Sequence, residues 1–458
     1  MAYEVSTLLL LGASGDLAGR LLLPAVGQLL DAEEGRRKIV LVGVGSESLD
    51  SAAWRDRVAA SFASADVSPA TRDAVLASTR YQQADVTDPG DLRAVLDSCA
   101  GPPAIYFALP PEVTAKACEV LRDVPLPAGT RLVLEKPFGA DLNGARSLNE
   151  LLTELVPEQR IHRIDHFLGK STVFNLLGLR FANRLFEPVW NAEHVERVDI
   201  VFDEQLTLEN RARYYDTAGA LRDMIQSHLL QVLALIAMDP PAAADAVDLR
   251  DAKAQVLRAC HVWQGDPAAA SRRARYTSGT IGGRQVPDYA DEPGVDAARQ
   301  TETLAEVLVG IDNWRWAGVP FRLRSGKALG DRRKEAVIRF KPAPHVPTGL
   351  RGLTEPDQLR ILMAPDRITL EMNTNGPGHP MELDRTALTA ELGVGRLPAY
   401  GEVLAGVLDG DPLLAVRGDT AEQCWRVVTP FLQSWDDGAV PLETYEAGSS
   451  GPLSWPDA

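Results

Sequence analysis

The chain has 458 residues, 45% of them hydrophobic and 24% charged, ordinary values for a globular protein large enough to bury its core without covalent staples. That length predicts two or three domains. A formal net charge of −16 excludes wholesale attraction to nucleic acid or to an anionic membrane, so an anionic substrate must be gripped by a local cluster of cations.

The four cysteines, Cys99, Cys118, Cys260 and Cys424, are scattered and form no CxxC pair, so they read as small core residues in a reducing compartment. No metal site is expected from them. The N-terminus lacks a basic segment ahead of Leu8–Leu11, and no apolar run approaches the ~20 residues that span a bilayer. The expected location is the cytoplasm, with no membrane contact.

In chain order, Val5–Leu11 is a β-compatible run, followed by Gly12-Ala13-Ser14-Gly15-Asp16 and then Leu17–Leu30 with apolar residues at helical spacing. Strand, glycine turn and helix are the entry to a dinucleotide-binding fold, with Gly12 and Gly15 letting the backbone approach a pyrophosphate at the helix N-terminus. The spacing is GxxG rather than GxGxxG, which an ordinary βα turn also satisfies. Strands at Lys38–Val44, Tyr81–Ala84, Ala104–Leu109 and Arg131–Leu134 alternate with helices at Ser51–Ser64, Asp91–Cys99 and Glu112–Val124. Such alternation implies a parallel, doubly wound sheet. After the second strand Glu47 stands one place late for the acidic residue that holds a ribose 2′-hydroxyl, and no arginine is at hand for a 2′-phosphate; Ser46 and Ser48 are the candidate donors. Lys136 follows the Arg131–Leu134 strand, where ligands of such sheets bind.

Arg163-Ile164-Asp165-His166-Phe167-Leu168-Gly169-Lys170 packs an acid, an imidazole and two cations into eight residues at the hand-over to a second half. Helices are then expected at Ser171–Leu185, Arg222–Leu235 and Ala399–Trp435. Strands are expected at Val195–Phe202, Leu304–Leu308, Phe321–Arg324, Glu335–Phe340, Gln358–Met363 and Arg367–Met372. His228 lies on a strongly apolar helix beside bulky residues and reads, from that pattern, as a core histidine. Arg322-Leu323-Arg324-Ser325-Gly326-Lys327, with Arg332 and Arg333, is an anion or sugar clamp or a basic surface loop. The fold class is an α/β Rossmann-type parallel-sheet domain, 1–165, followed by an α+β domain with a large, mainly antiparallel sheet, 166–458.

Gly12-Ala13-Ser14-Gly15-Asp16-Leu17-Ala18, Ala108-Leu109-Pro110-Pro111, Glu135-Lys136-Pro137-Phe138-Gly139, Arg163-Ile164-Asp165-His166, Leu168-Gly169-Lys170, Leu179-Arg180-Phe181-Ala182-Asn183, His228-Leu229-Leu230-Gln231 and Arg324-Ser325-Gly326-Lys327 occur in that order. In these motifs, and in Ala399-Tyr400, Asp409-Gly410-Asp411 and Trp425 to Trp435, the chain resembles the glucose-6-phosphate dehydrogenase family over nearly its whole length. The resemblance implies oxidation of glucose 6-phosphate at C1 to 6-phosphoglucono-δ-lactone. It makes His228 the general base and Asp165 its orienting partner. It assigns His166 and Lys170 to the 6-phosphate, and Lys136, Glu209, Asp223 and Lys327 to sugar hydroxyls, with Arg332 nearby. Gly12, Ser14, Gly15, Asp16, Leu17, Ser46 and Lys136 would face the cofactor, NADP by resemblance or NAD. It also implies a homodimer or homotetramer built through the sheet of the second domain.

Four positions depart from the family pattern. Phe167 stands for a tyrosine that reaches the phosphate, a loss of ~1.5–3 kcal/mol if the hydroxyl bonds a charged group. Leu21 stands for a lysine, Ser171 for a glutamate, and Ser46 for the arginine that grips the 2′-phosphate of NADP. Two alternatives therefore stand beside the leading reading: a divergent dehydrogenase of another aldose or sugar phosphate, and a non-catalytic nucleotide or sugar-phosphate binding protein.

Overall fold

The computed structural model describes residues 5–455 apart from Asn210, Leu353, Pro365 and Val394. The chain divides into two compact units, each discontinuous in sequence. The first comprises Met1–Lys170, Pro241–Asp251 and Gly395–Glu422; the second comprises Ser171–Pro240, Ala252–Val394 and Gln423–Ala458.

In the first unit, strands β1 (Thr7–Leu11), β2 (Val40–Gly45), β3 (Arg80–Gln83), β4 (Pro103–Phe107), β5 (Arg131–Glu135) and β6 (Ile161–Ile164) lie in the order β6-β5-β4-β1-β2-β3. All five pairings among them are parallel, and Ala415–Val416 adds an antiparallel edge beside β6. Every residue of β1 and β4 is buried, as expected for strands covered on both faces, which is why they read as apolar runs without alternation. β6, whose sequence Ile161-His162-Arg163-Ile164 carries two ionisable side chains, is nevertheless fully buried; nothing in its pattern announces a strand. The strand order reverses between β1 and β4, the switch point where such sheets bind ligands. Gly12 sits there at φ 86°, and a Cβ on it would lie 2.3 Å from the Ala108 carbonyl oxygen, so only glycine closes this turn.

Two helical expectations change. Leu17–Leu30 becomes a π-helical turn, Ala18–Leu22, leading into an α-helix, Leu23–Ala32, with Pro24 in its first turn. Proline has no N–H to bond the preceding turn, and the widened turn accommodates that. The stretch Ala399–Trp435, expected to be helical, is Ala399–Asp409, a 3₁₀ turn at Pro412–Leu414, the short edge strand, and Gly418–Asp436. Gly410 at φ 75° ends the first helix in a left-handed cap and Pro412 prevents its continuation.

The second unit is built on an eleven-stranded sheet. Its spine runs Lys334–Phe340, Val195–Asp203, Phe321–Gly326, Leu304–Ile311 and Ser271–Thr277. Antiparallel pairing dominates, but Val195–Asp203 runs parallel to Phe321–Gly326 and Ser271–Thr277 parallel to Leu442–Glu446. Gln358–Met363 alternates half-buried with buried residues, the mark of a strand covered on one face. Beyond it, Asp366–Asn375 pairs with Glu382–Glu391, whose polar sequence conceals a strand.

Against this sheet lies a helical run: Ala212–Ala220, the π-helical Leu221–Leu229 that bears His228, and the wholly buried Leu230–Ala237. Gly219, at φ 68°, breaks the run just before the π-helical stretch, and a Cβ there would sit 2.4 Å from Glu302 Oε1. The Glu302 carboxylate occupies that space and accepts from the Leu221 N–H at 2.9 Å, while its carbonyl accepts from Ala220 N–H at 3.2 Å. Burial raises the Glu302 pKa, so the fit of this acid matters to the whole run. The substitution Gly219→Ala combines a left-handed strain with a clash against a buried carboxylate. It is expected to cost about 2–4 kcal/mol in urea unfolding. A loss below about 0.5 kcal/mol, the scale of an ordinary surface change, would contradict this packing.

Candidate active site

The nucleotide turn follows from β1. Gly12 and Ala13 both donate to the Val44 carbonyl, at 2.8 and 3.0 Å, and Gly15 donates to the Gly12 carbonyl at 3.0 Å. The turn is thus tied to β2 while its outer edge, Gly15 and Asp16, is exposed and Ser14 and Leu17 are half-buried. This turn, with its exposed edge opening onto a helical N-terminus at the switch point of the sheet, suits a dinucleotide pyrophosphate. Asp16 pairs with Arg20 at 3.1 Å on open surface, an interaction of little energetic weight. Ser46 is exposed at the end of β2, and Gln83 Nε2 donates to its carbonyl at 3.0 Å.

The residues after β5 and β6 meet in one cluster. Glu135 ends β5; the Tyr106 hydroxyl of neighbouring β4 donates to its carboxylate. Tyr400, at the start of the returning helix Ala399–Asp409, is a second hydroxyl partner. Burial raises the Glu135 pKa to about 7, against the lowering pull of the two tyrosines and Lys136, and Asp165 adds to the rise. The Lys136–Pro137 peptide is cis. Asp165 is fully buried and caps the 3₁₀ turn His166–Gly169, accepting from Phe167 N–H at 3.0 Å. His166 stacks on Tyr400 with centroids 5.4 Å apart and planes 11° from parallel. Gly169 is required because a Cβ would lie 2.2 Å from the Ala399 carbonyl oxygen.

Phe167 is 2% exposed, and Lys170 Nζ lies 3.9 Å from its ring centroid. The ring therefore seats the lysine through a cation–π contact, a task for which no hydroxyl is needed. Leu21, in place of a basic residue, is 42% exposed. Ser171 donates to Asp366 Oδ2 at 2.5 Å.

In the second unit His228 is 1% exposed on the π-helical stretch, where the wider turn is a frequent mark of function. Asp223, five residues earlier on the same stretch, accepts from the Tyr214 hydroxyl at 3.3 Å. Lys327 lies 5.2 Å from the Tyr215 ring centroid and pairs with Glu204 at 3.0 Å, as Lys334 does at 3.1 Å. Burial pushes the Glu204 carboxyl upward, but the two lysines outweigh it and hold the pKa below its usual value. Lys327 is thus held in a three-member ion cluster. Glu209 is exposed at φ 46° beside Arg284, 3.5 Å away, and exposed Arg332 donates to Gln205 Oε1 at 3.1 Å.

Motif reading did not single out Glu135, Tyr106, Tyr400 or Glu302 as functional. The first lies inside the quoted Glu135-Lys136-Pro137 element and Tyr400 inside Ala399-Tyr400, but nothing along the chain says that they bond. The Glu135 assignment makes a pH prediction. Below about pH 4.5 the carboxyl is protonated folded and unfolded alike; as pH rises towards about 7 the unfolded chain ionises first and stability falls. Glu135→Gln keeps an acceptor for both tyrosines and removes that slope, worth about 3 kcal/mol across the window. Urea midpoints measured from pH 4.5 to 8 check it; identical slopes in the two proteins would exclude a desolvated Glu135.

Comparison with known proteins converges on one family. The model described as "Glucose-6-phosphate dehydrogenase, NAD binding domain" matches residues 9–175, and that described as "Glucose-6-phosphate dehydrogenase, C-terminal domain" matches residues 177–457. The glucose-6-phosphate 1-dehydrogenase of Zymomonas mobilis is 36% identical, covering 99% of this chain and 97% of its own length. The crystal structure of glucose-6-phosphate 1-dehydrogenase from Mycobacterium avium superposes with a TM-score of 0.86 at 33% identity, over 98% of this chain and 95% of that one. A glucose-6-phosphate dehydrogenase in complex with its substrate gives 0.89 at 28% identity, over 99% and 97%. A parallel sheet with a glycine turn at its switch point and a large, mainly antiparallel sheet agree with these matches: the chain is an oxidoreductase belonging to the glucose-6-phosphate dehydrogenase family.

Proposed function

We propose that the protein oxidises glucose 6-phosphate at C1 to 6-phosphoglucono-δ-lactone with NADP as the cofactor. The observation that carries this reading is the turn after β6. There, one buried acid, Asp165, caps a 3₁₀ turn that presents His166 stacked on Tyr400 and Lys170 seated on Phe167. A stacked imidazole and an ammonium on an aromatic face form a compact grip for a phosphate dianion, which a chain of net charge −16 must assemble locally.

The nicotinamide, when bound, supplies the electrophilic ring carbon that receives the hydride from C1. His228 takes the proton of the C1 hydroxyl as the C1–H bond breaks, so the C1 oxygen becomes the lactone carbonyl. An imidazole suits that proton because its ordinary pKa lies near neutrality. Asp165 orients the imidazole and stabilises its cationic form. His166 and Lys170 hold the 6-phosphate. Lys136, Glu209, Asp223 and Lys327 hold sugar hydroxyls, with Arg332 beside them; the Glu204 pairing restrains Lys327 in one orientation. Gly12, Ser14, Gly15, Asp16 and Leu17 cradle the pyrophosphate, and Ser46 faces the adenosine ribose. The same reading places the protein in the cytoplasm as a dimer or tetramer joined through the second unit's sheet, where Leu388 is 57% exposed.

A second reading, oxidation of another aldose or sugar phosphate, is favoured by Phe167 and Leu21. Initial rates of nicotinamide reduction with glucose 6-phosphate, glucose and other aldose phosphates decide between them; equal turnover of the others would overturn the first reading. Phe167→Tyr restores the hydroxyl and is expected to raise kcat/KM for glucose 6-phosphate about tenfold while leaving glucose unaffected. An equal effect on both sugars would remove the phosphate contact from the account. His228→Asn is expected to lower kcat about 10²–10⁴-fold with glucose 6-phosphate binding retained in calorimetry. An unchanged kcat would mean that another group is the base.

A further inference from the structure

The end of β2 lacks the cation expected for an NADP enzyme, yet a cation stands beside it. Ser46, Glu47 and Ser48 are exposed there, and none is basic. The loop is held from behind: Gln83 Nε2 donates to the Ser46 carbonyl at 3.0 Å and the Tyr81 hydroxyl to the Glu47 carbonyl at 2.8 Å. Gly45 is flanked closely, since a Cβ on it would lie 2.8 Å from the Tyr81 hydroxyl and 3.4 Å from Ser14 Oγ. The glycine turn and the end of β2 therefore share one small patch with two hydroxyls, those of Ser14 and Tyr81.

Arg57 reaches this patch from the helix Ser51–Ala63, which the same loop leads into and which Asp50 caps by accepting from Ala53 N–H at 2.8 Å. Its Nη2 donates to the Ser14 carbonyl at 2.7 Å and to the Gly15 carbonyl at 2.6 Å. Nε is buried, and Nη1 makes no hydrogen bond among the described residues. The residue is half-buried overall. Its charge is felt at Tyr81: burial raises that phenol's pKa most, Glu47 adds to the rise, and Arg57 opposes it. So the guanidinium stands within electrostatic reach of the very hydroxyl that holds the Glu47 carbonyl.

A purely mechanical role accounts for part of this. Arg57 lies over Gly19, where a Cβ would be 3.0 Å from Nη2, and it ties the turn to the helix. That role uses one nitrogen. A guanidinium is planar and carries five N–H donors, so with Nη2 fixed on two backbone carbonyls the N–H donors of Nη1 are held in one direction, preorganised for a phosphate oxygen. We propose that Arg57 recognises the ribose 2′-phosphate of NADP, together with the Ser14 and Ser46 hydroxyls, and so supplies from the following helix the cation that the end of β2 lacks. This rests on the reading of NADP as the cofactor.

Calorimetric titration with adenosine 2′,5′-bisphosphate and with 5′-AMP separates the possibilities without turnover. The unsubstituted protein is expected to bind the bisphosphate at least tenfold more tightly. In Arg57→Gln that ratio falls about ten- to hundredfold, the scale of a hydrogen bond to a charged group. Arg57→Lys retains part of it, and adding Ser46→Arg to Arg57→Gln restores it. A preference that survives Arg57→Gln, with both nucleotides weakened equally, overturns the role of Arg57 and leaves NADP as the cofactor. No preference in the unsubstituted protein overturns both.

Discussion

The residue cluster at the strand ends of the first unit depends on one buried carboxyl. Glu135 at the end of β5 is removed from water between the hydroxyls of Tyr106 and Tyr400, beside Asp165. An acid so placed is costly unless its lone pairs are met, so the two tyrosines cannot drift. One tyrosine belongs to the adjacent strand and the other to a helix that returns from far along the chain. Through Tyr400 the arrangement sets the plane on which His166 stacks. Through Gly169, pressed against the Ala399 carbonyl, it sets the end of the turn that carries Lys170. His166 and Lys170, the residues proposed to hold the phosphate, are therefore oriented by the same desolvated group.

The second unit uses a similar device. Glu302 is buried, its pKa raised by desolvation, and its carboxylate occupies the volume that a side chain on Gly219 would need. It accepts from the first amide of the π-helical stretch, so the direction of that stretch, and with it the position of His228, is cast by an acid outside the helix. In both units a buried carboxylate acts as a mould for the element bearing the reactive groups. Such groups lower stability and raise specificity of conformation, the exchange expected at functional sites.

Phe167, where the family resemblance leads one to expect a tyrosine, keeps the shape of its turn without a hydroxyl. The buried ring holds Lys170 by its face, so the cation stays although the hydroxyl is absent. Ser46 is the opposite case. There the charge itself is missing from the end of β2, and the nearest guanidinium, that of Arg57, arrives from the following helix.

The linear sequence by itself determined the strand–glycine–helix entry, the alternation that makes a parallel sheet, and the motif residues from Asp165 to Lys170, because periodicity and turn chemistry are local properties. Only the family resemblance, not any local pattern, marked Phe167 and Ser46 as departures. The linear sequence did not reveal β6 or the Glu382–Glu391 strand, whose polar residues mask their pairing, nor the break at Gly410 within an otherwise helical pattern. Only the tertiary structure decided that Tyr106, Glu135 and Tyr400 share a proton-rich cluster, that Glu302 fills the space at Gly219, and that Arg57 lies on the glycine turn. These are contacts between residues tens to hundreds of positions apart, and their energies come from desolvation and hydrogen-bond geometry, which no pattern along one strand or helix records.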